Sequence, residues 1–101
     1  MNKQEIIALK PGEKMNLMVA SKVFNIPTEN AGDKIKDYSC DISAAWGIVD
    51  LMMERGFQYT LSYSDDKHMC SFDNLTTHRR YIIHAQSPTE AICKAALLAH
   101  S

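Results

Sequence analysis

Residues 41–64, DISAAWGIVDLMMERGFQYTLSYS, carry a helical pattern that changes at once into a strand pattern. Asp41 offers an N-cap carboxylate, and Arg55-Gly56 places a cation and then a glycine at the other end. Between them the apolar residues recur at three and four positions and form one stripe, namely Ile42, Ala45, Trp46, Val49, Met52 and Met53. After Gly56 the period becomes two, and its apolar members are Phe57, Tyr59, Leu61 and Tyr63. The stretch predicts an amphipathic helix followed by a half-buried strand.

The residues after this strand predict two further strands. Ser64–Lys67 is typical of a turn, and His68–Phe72 predicts a short strand that pairs back as a hairpin. Asp73–Thr77 predicts a second turn, and Arg80–Gln86 a third strand. Connections this short join antiparallel strands, because a parallel crossover needs a dozen residues or more.

A last helix begins at Ser87-Pro88-Thr89-Glu90, which is the strongest local signal in the chain. It combines an S-x-x-E capping box with proline at the first helical position. The helix is predicted over residues 91–99. Its side chains expected to face the sheet are Ile92, Ala95, Leu98 and Ala99.

The first forty residues predict one helix between two irregular segments. Residues 1–10 are expected to be a short lead-in, and a helix is predicted over 11–24 with Pro11 at its first position. Asn25-Ile26-Pro27 ends it, since proline cannot continue the hydrogen-bond ladder. Residues 27–40 lack a period and predict a polar loop, long enough to be mobile or functional.

These elements predict an α/β protein of order α-α-β-β-β-α, with a three-stranded antiparallel sheet in an α-β-α sandwich. Ile82 faces the side opposite to Tyr81 and Ile83, so both faces of the last strand carry apolar groups. We therefore expect helices on both faces of the sheet. A chain of 101 residues forms a single domain, residues 1–101.

Charge and hydropathy exclude several classes of protein. Eleven Lys and Arg against twelve Asp and Glu give a formal net charge of −1, which argues against duplex nucleic acid as a partner. There is no apolar run long enough to cross a membrane. The apolar run Ile6–Leu9 is too short for the core of a signal peptide. A cytoplasmic protein is expected.

The cysteines give no signal for a disulfide framework or a metal site. Cys40, Cys70 and Cys93 are an odd number without a close pair. His68 and Cys70 share one face of a strand and could form half of a metal site, whereas a buried thiol beside an edge histidine is the common arrangement. We expect neither a metal nor a cofactor.

One polar cluster could bind an anion. His78, Arg79 and Arg80 enter the third strand after two threonines and could hold a phosphate or carboxylate. The same charges could instead guard a strand edge from aggregation. For a nucleotide, an aromatic ring would also have to stack on the base, and Tyr63 is a candidate alongside Tyr59 and Phe72.

Trp46 and the methionines have two interpretations. Trp46 lies in the middle of an apolar stripe, which favours a core position over a stacking platform. Met15, Met18, Met52 and Met53 lie on the predicted core stripes of two helices. Their alternative is an adaptable groove for a partner, which requires that they be exposed.

Three segments together resemble the phage ABA-sandwich domain family. Residues 9–23, LKPGEKMNLMVASKV, resemble the family's L-x-P-G-x-x-x-[DN]-x-x-V-A-x-x-V opening. Residues 38–46, YSCDISAAW, are similar to its Y-S-x-D-I-x-A-A-W pattern, and residues 89–99, TEAICKAALLA, to its last helix. The resemblance implies a bacteriophage or prophage accessory protein with an alpha-beta-alpha sandwich and no catalytic residues.

The expected function is therefore non-enzymatic binding in the cytoplasm of an infected or lysogenic bacterial host. The partner would be a host protein or a small signalling nucleotide, in counter-defence or host modulation. One alternative is a small nucleotide-processing enzyme with His78 or His84 as general base. Another is a structural or assembly protein of the virion. A homodimer or a higher ring fits a small chain with apolar groups on both sheet faces.

Overall fold

A computed structural model describes residues 1–29 and 32–101. The elements are α1 (Lys3–Ala8), α2 (Glu13–Lys22), a 3-10 turn (Gly32–Lys34), α3 (Ile42–Glu54), β1 (Phe57–Ser64), β2 (Lys67–Asn74), β3 (Arg80–Ala85) and α4 (Pro88–Ala99). The strands form one antiparallel sheet in the order β1-β2-β3. The predicted α/β class with a three-stranded antiparallel sheet is confirmed.

Helix α4 is the centre of the core. It packs on β2 and β3 on one side and contacts α1, α2 and α3 on others. Residues 91–97 are all buried, and seven consecutive residues make nearly two turns, so every side of this helix is covered. Four of the seven are alanine or cysteine, which lets the sheet and the other helices approach closely.

The helices contact one face of the sheet. On this inner face the pairing register aligns Leu61, Cys70 and Ile83 across the three strands. On the opposite face the exposed side chains are Gln58, Thr60, Ser62, Ser64, Lys67, Arg80 and His84. The expectation of helices on both faces needs correction, because Ile82 is only partly buried and lies beside Ser71 on this open face.

The N-terminal segment differs from the predicted lead-in. Residues 3–8 form α1, since the Asn2 side chain accepts from the backbone N–H of Glu5 at 2.8 Å and the Glu5 carboxylate accepts from the Asn2 N–H. This capping box begins a helix of six residues whose Ile6 is fully buried. Pro11 precedes the next helix instead of starting it. Gly12 is the N-cap of that helix, with φ of 146°, a backbone conformation that glycine adopts readily.

The apolar stripe of α3 is wider than one packing interface. Ala45, Val49 and Met52 are buried, as predicted. Trp46 and Met53 were expected in the core and are instead 39% and 46% exposed. At 100° per residue both lie at one margin of the apolar arc, where α4 and the sheet cover them only in part.

The last helix has half of its predicted capping box. The Ser87 hydroxyl accepts from the Glu90 N–H at 3.2 Å, and Pro88 is the first helical residue. The Glu90 carboxylate accepts from the Lys94 ammonium at 2.6 Å instead of turning back to the N-cap. Lys94 also donates to the carbonyl oxygen of Ile7 at 2.7 Å. This buried lysine therefore joins α1 to α4.

The hairpin between β1 and β2 holds two aspartates in left-handed backbone conformations. Asp65 and Asp66 have φ of 53° and 62°, which a two-residue type I′ turn requires at both positions. Glycine is preferred at the second position, because a side chain there is strained. The Asp66→Gly substitution is expected to stabilise the protein by about 0.5 to 1 kcal/mol, a rise in Tm of about 2 to 8 °C.

Calorimetry of the variant measures this shift. Asp66→Ala is the matched control, since it also loses the 3.3 Å hydrogen bond from the Tyr63 hydroxyl to Asp66 but keeps the strained φ. A Tm that falls equally in both variants would show that the side chain matters more than the backbone conformation.

Candidate functional site

An open groove of about 790 Å³ runs between α3 and the outer edge of β1. This β1 groove is lined by Trp46, Met53, Phe57, Gln58, Tyr59, Thr60, Leu61 and Leu75. Trp46 meets Tyr59 edge to face, with ring centroids 5.9 Å apart, and Leu75 is 57% exposed. An exposed apolar concavity with aromatic walls is typical of a surface that binds a ligand or a partner.

The floor of the groove is an unguarded edge strand. β1 is an outer strand of the sheet, and its sequence FQYTLSYS contains no charge and no proline. Its register with β2 is continuous from Phe57 to Ser64, without a bulge. Edge strands are commonly protected by charges, prolines or bulges. The outer backbone groups of β1 are therefore open to pairing.

A cationic loop adjoins one end of the β1 groove. Residues 74–79 are held by the Asn74 side chain, whose Oδ1 accepts from the N–H groups of Thr76 at 2.9 Å and Thr77 at 3.0 Å. The Leu75 N–H donates to the carbonyl oxygen of Gly56 at 3.0 Å, which fixes the loop against the start of β1. His78 and Arg79 follow Leu75 in this loop and are exposed.

The structure separates the residues that the sequence grouped into one site. Arg80 leaves the loop for the open face of the sheet, where its Nε donates to Asp73 at 3.0 Å. Tyr63 lies at the other end of the strand pair, with its ring 4.6 Å from that of His68. Tyr63 is six positions along the strand from Phe57, a distance of about 20 Å. His78 and Arg79 are thus neighbours, whereas Tyr63 is remote from them within one chain.

The cysteines and histidines are dispersed. Cys70 and Cys93 are fully buried, and Cys40 is exposed. His84 is exposed on the open face of the sheet, away from the loop of His78. Within residues 1–29 and 32–101, no three His, Cys, Asp or Glu side chains are grouped as ligands of a metal ion.

Ser39, in the segment before α3, is hydrogen-bonded to two other segments of the chain, and we call this cluster the Ser39 crossing point. The Ser39 hydroxyl accepts from the Gly12 N–H, and the Ser39 N–H donates to Asn16 Oδ1, both at 2.9 Å. The Ser39 carbonyl oxygen accepts from the Thr89 hydroxyl at 2.7 Å. Asn16 also donates to Asp37 at 2.9 Å. These bonds join three distant segments, residues 9–23, 38–46 and 89–99, around one serine.

Ser39 also corrects the prediction of a loop over 27–40. Asn30 and Ala31 lie outside the described residues, so that part of the prediction has no structural counterpart here. Further along, Tyr38 and Ser39 are buried, and the Tyr38 ring stacks on Phe24 at 5.1 Å. This end of the segment is therefore part of the core and not a free polar loop.

The three segments joined at Ser39 are the same three that resemble the phage ABA-sandwich domain family. Comparison with known protein families supports this resemblance. The model of the phage ABA sandwich domain matches residues 12–97. The chain belongs to this family. The match spans α2 to α4, so the sheet, the Ser39 crossing point and the β1 groove all lie within the phage ABA sandwich domain.

Among solved structures, this phage ABA sandwich protein is similar to the 2.0 Å crystal structure of a phage protein from Bacillus cereus ATCC 14579. The two share 24% sequence identity with a TM-score of 0.71, over 91% of this chain and 93% of the other. This similarity shows the fold alone. A search of curated proteins gives no match.

The helices of the described residues are short. The longest, α3, has 13 residues, and no helix in the described part of the chain is long and apolar enough to span a membrane.

The sequence did not predict that Trp46, Met53 and Leu75 share a surface. The sequence pattern predicts core positions for Trp46 and Met53 and a turn for Leu75. The width of the apolar arc on α3 is a signal for this surface. An arc wider than one helix interface leaves apolar side chains that can contact a second partner. The backbone bond from Leu75 to Gly56 holds Leu75 beside this margin, and this bond has no local sequence signature.

Proposed function

We propose that this phage ABA sandwich protein is a non-enzymatic binding protein for a small nucleotide. The base would lie in the β1 groove and the phosphates at the loop of residues 74–79. Capture of a host signalling nucleotide in this way would serve counter-defence or host modulation.

The observation that carries the proposal is the junction of an aromatic groove with a cationic loop. Trp46 and Tyr59 present ring surface, on which a base can stack. At the groove's end, Asn74 faces Phe57 in the sheet register, and the Asn74 N–H donates to the Arg79 carbonyl oxygen at 2.8 Å. Arg79 therefore lies opposite Asn74, on the other side of β2 from Phe57, where an arginine fork could hold phosphate oxygens.

A host protein is the second candidate, and the open edge of β1 favours it. An extended polypeptide could add as a strand to β1 and place apolar side chains between Trp46 and Met53. Strand addition needs no contact with Arg79. Replacement of Arg79 should therefore weaken nucleotide binding but leave the binding of an extended polypeptide unchanged.

Tryptophan fluorescence offers a direct test, because Trp46 is the only tryptophan and lines the groove. Titration with ATP and with cyclic di-GMP is expected to change its emission in a saturable way with at least one of them. Mass spectrometry of the ligand after incubation should recover it unaltered. A chemically changed nucleotide would instead support the enzyme hypothesis.

Arg79→Ala is expected to weaken the binding of that nucleotide about tenfold or more, since a charged hydrogen bond to phosphate is lost. Thermal stability should be nearly unchanged, because Arg79 is exposed. Lys14→Ala, which removes an exposed cation from α2, is the matched control and should bind as the wild type does. Equal affinity of both variants would remove the loop from the proposed site.

A further inference from the structure

We propose that two copies of this chain pair antiparallel along β1, and that each copy completes the β1 groove of the other. Two three-stranded sheets would then form one six-stranded sheet around a two-fold axis. The inference deepens the proposed function, since it describes how the groove acquires its second wall, but the pairing itself is independent of any ligand.

The two edges of the sheet differ in their ability to pair with themselves. β1 has eight residues without charge, so antiparallel self-pairing opposes no like charges. β3 has six residues, with Arg80 and His84 among them, and self-pairing centred on Ile82 would set Arg80 of one copy against His84 of the other. The neutral edge is therefore the one that matches a second copy.

The backbone of β1 offers a regular set of outward groups. Ser64 and Lys67 flank a two-residue turn and so form a hydrogen-bonded pair. Hydrogen-bonded and non-bonded pairs alternate along an antiparallel ladder. The backbone groups of Phe57, Tyr59, Leu61 and Tyr63 consequently point away from β2, where a second β1 could satisfy them.

Side-chain alternation restricts the register of the pairing. Inner-face residues must meet inner-face residues, because a shift by one position exchanges the two faces. In the register centred on Thr60, the two copies of Thr60 meet on the open face. On the inner face Tyr59 then meets Leu61, and Phe57 meets Tyr63.

The pairing would bring the exposed Tyr63 of one copy into contact with the other copy. It is 60% exposed in one chain. In the pair, Tyr63 of the second copy reaches the Phe57 end of the groove, beside Leu75 and the loop of residues 74–79. The pairing thus brings an aromatic ring of one copy toward the cationic loop of the other, which a single chain keeps about 20 Å apart.

The mass of the particle in solution tests the proposal. Light scattering across a dilution series is expected to give twice the chain mass of 11.4 kDa for the wild type. Thr60→Lys places like charges against each other at the two-fold axis, and is expected to give monomers. Thr60→Glu should do the same. An equimolar mixture of the two variants should recover dimers that contain one chain of each.

His84→Lys is the matched control, since His84 is exposed on the same open face but lies two strands away. It should remain dimeric. Thr60 is exposed as well, and circular dichroism checks that each variant keeps its fold. A monomeric wild type, or a Thr60→Lys dimer with wild-type strength, would overturn the pairing.

The result also separates the pairing from the proposed function. A dimer that binds neither nucleotide supports the pairing and counts against nucleotide binding. If the wild type is monomeric and ATP changes the fluorescence of Trp46, the pairing is overturned and the proposed nucleotide binding stands. A wild type that is monomeric but adds an extended peptide along β1 overturns the pairing and assigns the edge to another protein.

Discussion

Replacement of Lys94 by alanine is expected to lower the free energy of unfolding by about 3 to 5 kcal/mol. Lys94 is only 5% exposed, and its ammonium group donates to the Glu90 carboxylate at 2.6 Å and to the Ile7 carbonyl at 2.7 Å. Alanine leaves a carboxylate and a backbone oxygen without this donor where little water can reach them. Urea unfolding should show a lower midpoint at an unchanged slope.

The double variant Lys94→Met/Glu90→Gln is the informative control. A buried ion pair gains little over neutral groups of similar volume, so this variant should recover much of the lost stability. Lys14→Ala removes an exposed cation and should change stability by less than about 0.5 kcal/mol. A cost below about 1 kcal/mol for Lys94→Ala would mean that water replaces the ammonium group.

The loss should be concentrated at the N-terminus. α1 has six residues, too few to be stable alone in water. Its attachments include the burial of Ile6 and the bond from Lys94 to Ile7. Hydrogen exchange of the α1 amides should therefore accelerate in Lys94→Ala more than exchange in β2.

The fold was predictable where its signals are local. Asp41 accepts from the Ser43 N–H at 2.9 Å and begins α3, as its position before an apolar run indicated. The change of period at Gly56 separates α3 from β1, and the turn at Asp65-Asp66 sets the hairpin. α1 has a local signal in the capping box of Asn2 and Glu5, but its six residues are too few to indicate a helix by periodicity, and its bond to Lys94 spans 87 positions.

The candidate site was less predictable, because it is made by contacts between elements. Periodicity identifies Trp46 as apolar but does not show how far the sheet and α4 extend over α3. Likewise the separation of Tyr63 from Arg79 follows from the direction of the hairpin and not from their distance in sequence. His78 and Arg79 were found since a charged cluster between two strands is a local feature.

Alkaline pH is expected to destabilise the protein strongly, by up to about 2.7 kcal/mol per pH unit between pH 9 and 12. Cys70 and Cys93 are fully buried. Burial raises the pKa of the Cys70 thiol to about 12, and raises the pKa of Cys93 in the same direction. Unfolded thiols titrate near pH 8.5. Above pH 8.5 the unfolded chain releases thiol protons that the folded chain retains, so the free energy of unfolding falls as pH rises. Below pH 8.5 both states keep these protons, and the two thiols add no pH dependence.

Urea unfolding at a series of pH values measures this slope. Cys70→Ala and Cys93→Ala should each remove about half of it, because each thiol contributes about 1.4 kcal/mol per pH unit. Both variants lose stability at neutral pH through the cavity they leave, but the slope is unaffected by that constant loss. Cys40→Ala removes the exposed thiol and should keep the wild-type slope. Tyr38, whose pKa is also raised by burial, would add a residual slope above about pH 10. If the slope persisted in a Cys70→Ala/Cys93→Ala chain between pH 9 and 10, the buried thiols would not be its source.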